Sequence, residues 1–312
     1  ISFYGQDIQK IVEACDEEEM YYVLGSGSIS DEDYDKVKTS PYFLGSVGPD
    51  AKADYEAGYN MADYFADADT SSYIVLTGGS SAGNYMHLQR TVAEKEGLTY
   101  SEDVEKLASS EKTTVVDAGK DDVSITICPG YMTDPKGINN LKHAFVDGNY
   151  DAVLCTFNVD EIMKTVTAKE EEQGSNIKIG AVDCFSMENH DEINDEDSFG
   201  NPKIDYIAGK YASMGGPAFA ILYNAMSGHP EANTDDADSN TVRLYQGFWS
   251  ASDKDTFNEL YGYTQDIYEN AYSCADLMKV IKAYSTDTTP DDLKALTEAY
   301  TVEDVQKRIE EN

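Results

Sequence analysis

Positive charge is scarce in this chain. Only 23 Lys and Arg stand against 59 Asp and Glu, a formal charge of −36 over 312 residues. Such a surface repels phosphate backbones and anionic lipid, so no nucleic-acid or membrane-surface partner is expected. Long apolar runs are absent too: none approaches the length that spans a bilayer, and no basic stretch followed by an apolar one opens the chain. The five cysteines (15, 128, 155, 184 and 274) form no C-x-x-C pair. Cys128, Cys155 and Cys184 lie in or just after apolar runs, and read as buried thiols acting as small hydrophobes. Of four histidines, His87 and His143 sit at no ligand spacing, so neither a metal nor a cofactor is expected. Acidic runs such as Asp16-Glu17-Glu18-Glu19 and the 188–197 segment read as solvated faces.

What is present is an alternation. Short β-branched runs occur at 21–25 (YYVLG), 42–47 (YFLGSV), 72–78 (SYIVLTG), 123–128 (VSITIC), 151–157 (DAVLCTF), 177–183 (IKIGAVD), 203–209 (KIDYIAG) and 241–247 (TVRLYQG). Between them, DAKADYEAGYNMADYFADA, KGINNLKHAFVDG and VDEIMKTVTAKEEEQG repeat apolar residues at helical intervals. This rhythm predicts an α/β fold, parallel sheets covered by helices on both faces. Two inserts break it: 99–121, polar with a short helical pattern, and the loop 230–240. Within that loop Asp236, Asp238 and Asn240 imitate a calcium loop, but Thr241 replaces the required glycine and Gly247 the closing glutamate. From about 253 onward the pattern is helical, with Thr289-Pro290-Asp291-Asp292 as a helix start. ISFY at residues 1–4 reads as the end of a strand, so further chain is expected before it.

Chemistry is expected where strands end. In open parallel sheets ligands bind at the carboxyl ends of strands. DAVLCTF runs into Asn158-Val159-Asp160, and IKIGAVD ends on Asp183. Asp160 has an ordinary second reading as a helix N-cap; Asp183 does not, because no helix starts at once. Arg90 follows the glycine-rich turn TGGSSAG in the next helix, where a guanidinium could give several hydrogen bonds to one ligand. That turn also fits G-x-S-x-G, so Ser81 is a candidate nucleophile, with Asp183 as acid and His190 or His229 as base. No HGGG-like oxyanion segment precedes it, and a glycine-rich turn equally suits a binding site, where backbone amides approach a ligand. Trp249, in QGFWS, is the aromatic candidate for stacking on a ligand ring.

The run DAVLCTFNVDEIMKTVTAKEEEQGSNIKIGAVDCFSMENHDEI resembles the second domain of type I periplasmic solute-binding proteins, the ribose- and galactose-binding sort. GPDAKADYEAGYNMADYFADADTSSYIVLTGGSSAGNYMHLQRTVAEKEG is similar to the preceding crossover, strand, turn and Arg-bearing helix of that family, and GKYASMGGPAFAILYNAMSGHPE to the helix returning to the first domain. The resemblance covers about residues 1–250. It implies a two-lobed fold: a first lobe from 1–49 and 211–247, a second from 50–208, and a crossing segment with a helical C-terminal extension over 248–312. The usual first two strand–helix units are lacking, and the extension is longer than usual. Gly209-Lys210 stands where sugar-binding members often contact the ligand. Matched position by position, the resemblance implies Arg90, Asn158, Asp160 and Asp183 as ligand-binding residues, with no catalytic residue. It further implies a monomeric, extracytoplasmic receptor, periplasmic or a cell-surface lipoprotein. That receptor captures a sugar or nucleoside-like ligand by hinged closure and delivers it to ABC transporter membrane subunits. The alternatives are an α/β serine hydrolase using Ser81, and the ligand-sensing module of a signalling receptor.

Overall fold

Eight β-branched runs become strands, and two further strands join them. The computed structural model describes residues 1–2, 7–27, 29–68, 70–78, 112–117, 122–131, 133–210, 214–236, 239–264 and 272–311. Its strands are β1 (Tyr22–Gly25), β2 (Phe43–Gly48), β3 (Ser72–Thr77), β4 (Thr114–Asp117), β5 (Ser124–Pro129), β6 (Ala152–Cys155), β7 (Lys178–Cys184), β8 (Tyr206–Lys210), β9 (Val242–Tyr245) and β10 (Trp249–Ala251). The chain divides into two units. One holds Ile1–Ala51, Tyr211–Trp249 and Gly262–Asn312; the other holds Lys52–Lys210 and Ser250–Tyr261.

The first unit is built on the parallel sheet β1-β2-β9. Ser2 bridges Leu24 in parallel, extending the sheet beside β1. Ile8, Val12 and Cys15 of the helix Ile8–Glu17 bury against Tyr22, Leu24 and Phe43, as their helical spacing dictates. Gly45 is obligatory: its φ is +122°, and a Cβ there would lie 1.8 Å from the Val242 carbonyl oxygen of β9. The helical segment after residue 261, set apart in sequence as an extension, is bound into this unit. Gln246 Nε2 donates to Tyr272 Oη at 2.6 Å and to the Thr297 carbonyl at 3.1 Å. Capping boxes at Ser273/Asp276 and Thr289/Asp292 start two of its helices.

The second unit carries the sheet β10-β8-β7-β6-β3-β5-β4. Strands β3, β5, β6, β7 and β8 pair in parallel, and β4 joins antiparallel at the edge. β4 falls in the polar insert 99–121, where no strand is expected from the sequence; its alternation of outward Val115 and buried Val116 suits an edge strand. The central strands are apolar on both faces because helices cover both. Gly180 of β7 lets the helix Ala51–Asp67 approach, since a Cβ there would lie 2.3 Å from the Phe65 ring. From β3 the chain steps to β5 on one side, then crosses back to β6 on the other and continues to β7 and β8. Strand order therefore reverses around the neighbouring pair β3 and β6. A crevice opens at the carboxyl ends of such a pair. No helix among the described residues is long and apolar enough to cross a membrane.

Candidate functional site

The carboxyl ends of β6 and β7 stand side by side, with Cys155 registered on Ala181 and on Leu76 of β3. Beyond Cys155 the chain runs Thr156-Phe157-Asn158-Val159 before the helix Asp160–Gln173 begins. Thr156 stays buried, its hydroxyl and amide both donating to the Leu76 carbonyl, at 3.0 and 3.1 Å. Asn158 is exposed and its side-chain amide is used locally: its Oδ1 accepts from Asp160 N at 2.7 Å and its Nδ2 donates to Asp160 Oδ2 at 3.3 Å. This turn, not Asp160, satisfies the helix start. The N-cap position is Val159, and Asp160 makes no capping bond, so the ordinary N-cap reading of Asp160 does not hold.

Asp160 is left in an unusual position. Its Oδ2 receives the Asn158 amide at 3.3 Å, while its Oδ1 is buried with no donor among the described residues. Burial raises its pKa most; the Asn158 bond opposes this, and the negative charges of Asp183, Glu188 and Glu192 add to it. Asp160 and Asp183, from consecutive strand ends, thus share one electrostatic neighbourhood.

Asp183 is fixed by a residue that sequence reasoning missed. Asn189, 0% exposed on the helix Met187–Asn194, donates through Nδ2 to Asp183 Oδ2 at 2.9 Å and to the Cys184 carbonyl at 2.8 Å. Its own backbone N–H is taken by the Ser186 cap at 3.1 Å. The signal was faint but present: Ser186 and Asn189 stand at capping spacing just after the strand-end aspartate. Burial, then the adjacent Asp183 carboxylate, pushes the Cys184 thiol strongly upward, which disfavours its thiolate. A second missed residue is Tyr131, just past β5. Its half-buried ring meets Phe157 edge-on with centroids 5.4 Å apart, an aromatic wall beside the Asn158 turn.

The remaining candidates fall elsewhere. Arg90, Ser81 and His87 lie outside the described residues. Trp249 is 4% exposed within the first unit: its indole N–H donates to the Tyr300 carbonyl at 3.3 Å and its ring stacks on Tyr300 at 5.5 Å. His143 belongs to the helix Pro135–Asp147. His190 stacks on Tyr261 at 4.4 Å between centroids and faces Asp191 at 3.4 Å. His229 pairs with Glu231 at 3.3 Å. Among the described residues no group of three His, Cys, Asp or Glu is placed to hold a metal ion.

No protein-family model matches the chain, and no curated protein matches it. Solved structures do. A protein of Mycobacterium smegmatis in complex with β-D-fucofuranose superposes with a TM-score of 0.52 at 14% identity, over 90% of this chain and 78% of that one. A galactofuranose-binding protein gives 0.53 at 13% identity, covering 84% and 76%. An ABC transporter solute-binding protein of Bacillus halodurans C-125, with bound myo-inositol, gives 0.52 at 12% identity, covering 81% and 72%. The fold is that of the solute-binding proteins. At these identities the likeness is one of backbone architecture, and it agrees with the α/β class. Asn158 and Asp160 follow β6, beside the reversal of strand order between β3 and β6, and Asp183 lies near the carboxyl end of the neighbouring strand β7.

Proposed function

We propose that the chain captures a small polyhydroxylated ligand, a sugar in the first instance, at the carboxyl edge of the β3-β6-β7 strands, and that it serves an ABC transporter. One observation supports this reading: Asp160 and Asp183 follow the ends of β6 and β7, successive strands beside the topological switch point, in a sheet that has the solute-binding-protein fold. Three structural neighbours are described with sugars or an inositol. Their shared chemistry is a ring studded with hydroxyl donors, which matches a site made of carboxylates and amides.

In this reading Asp183, held by Asn189, accepts from ligand hydroxyls, Asn158 and Asp160 do the same from the neighbouring strand, and Tyr131 offers an aromatic face. Arg90, outside the described residues, is the donor in this reading. No bond is made or broken, so the role is binding and not catalysis. The ligand's carrier works outside the cytoplasm as a monomer, and the charge of −36 opposes self-association. Titration calorimetry against pentoses, hexoses and myo-inositol tests the proposal. Binding that falls roughly tenfold or more in Asp183→Ala supports it, because hydrogen bonds to charged groups are worth about 1.5–3 kcal/mol. Silence across the whole set, with the protein folded, rejects it.

A further inference from the structure

One helix is fastened in both units. The chain passes between them after Ala51, Lys210, Trp249 and Tyr261, and the last passage falls inside the helix Lys254–Tyr263. Upstream of that passage the helix is anchored in the second unit. Phe257, fully buried, packs on Phe185 with ring centroids 5.2 Å apart. Asn258 and Asn194 exchange side-chain hydrogen bonds at 2.8 and 3.0 Å, and Tyr261 stacks on His190. Downstream of the passage the helix is anchored in the first unit. The Tyr263 ring meets Trp249 edge-on at 6.3 Å, and its hydroxyl accepts from Gln306 Nε2 at 3.0 Å. Trp249 is in turn stacked on Tyr300, so this anchor is supplied by the C-terminal segment. Between the two anchors stands Gly262.

Glycine lowers helix stability relative to alanine, and packing does not ask for it at this position. A Cβ at Gly45, Gly180 or Gly209 would strike a neighbour, whereas one at Gly262 would meet nothing within 4 Å. What Gly262 supplies is backbone freedom, at the residue bracketed by the two anchors. We propose that Gly262 is a bending joint between the units, and that the C-terminal segment, by holding Tyr263, couples the bend to the first unit. Domain closure concentrates its φ/ψ change in a few residues near the ends of elements, and Gly262 lies one residue from the end of its helix. Trp249 and Tyr263 are held by the same segment, so the two passages they adjoin are coupled. The use of the joint in ligand capture rests on the sugar-capture reading; the bend itself is measurable without ligand.

Pulsed EPR tests this in the full chain, with spin labels on the exposed Cys274 of the first unit and on Val146→Cys of the second. In the ligand-free protein the parent should show a broad distribution of label distances. Gly262→Ala should narrow that distribution without lowering the melting temperature. It should also slow amide exchange around residue 262 by about fivefold, the helix preference of alanine over glycine. Tyr263→Ala, which removes the first-unit anchor, should broaden the distribution instead. A distribution unchanged in Gly262→Ala overturns the inference and leaves sugar capture standing. Calorimetry with pentoses, hexoses and myo-inositol then reads the consequence for binding. Affinity in Gly262→Ala should change roughly threefold or more, because a stiffer joint shifts the populations that bind. Affinity equal to the parent's, despite narrowed distances, overturns the role in capture. Narrowed distances with no sugar bound by the parent would keep the joint and remove sugar capture.

Discussion

Asp205 shows what one residue can do to the stability of this chain. It sits at the amino end of the second unit's sheet, opposite to the strand-end site, and accepts from Ile179 N at 2.8 Å. Burial pushes its carboxyl up to about 6, against the opposing hydrogen bond. The folded chain therefore holds a proton there that the unfolded chain has already released. Its stabilising effect is complete below the unfolded value of 3.8 and disappears as pH rises through about 6. Relative to the parent, Asp205→Asn should gain on the order of 2 kcal/mol between those two limits, read from urea midpoints across the range. Asn189 is the corresponding residue at the site end. Asn189→Ala removes the bonds to Asp183 and to the Cys184 carbonyl, so we expect about 1–3 kcal/mol of lost stability. Sugar affinity should fall severalfold in the same variant. A fall in melting temperature with unchanged affinity would reduce Asn189 to a packing residue.

At the scale of elements, glycines decide how closely strands and helices approach. Gly45→Ala forces a Cβ into the Val242 backbone at a φ of +122°, and should cost several kcal/mol by separating β2 from β9. Gly209 of β8 is similarly confined, with the Phe185 ring 2.2 Å from a would-be Cβ. A Cβ added at Gly262 would meet nothing within 4 Å, so Gly262→Ala is the matched control, neutral or slightly stabilising in denaturant titration. The segment after residue 261 is the element whose role sequence alone did not assign. Trp249→Ala deletes the stack on Tyr300 and should destabilise by about 3–5 kcal/mol. A melting curve unaffected by that change would mean the segment is merely appended.

At the scale of the whole molecule, charge dominates. A net −36 raises the energy of the compact state through self-repulsion, and the pairs that offset it, such as Lys36 with Glu32 and Lys10 with Asp7, are exposed and weak. Raising sodium chloride from about 10 mM to about 500 mM shortens the screening length roughly from 30 to below 5 Å. The melting temperature should rise by several degrees over that range. A flat or falling curve would show that specific ion pairs outweigh the net repulsion.

Local signals are written within a few residues, and those the sequence settled by itself. Eight strand runs, the helices between them, the capping at Thr289, and the α/β class follow from periodicity and turn chemistry, which depend on neighbours in the chain. Asp183 stood out for the same reason, as a charge ending an apolar strand. What tertiary structure alone decided is longer in range. β4 pairs because β5 has a free edge, a fact absent from its own polar surroundings. Asp160 is an N-cap by local rules, yet Asn158 occupies its amide and packing buries its carboxylate beside Asp183. Asn189 became a positioning residue only when its helix folded back on β7, and Trp249 found Tyr300 across 51 residues of chain. Strand order fixes where side chains meet, and it is set by contacts between segments far apart in sequence, which no local pattern encodes.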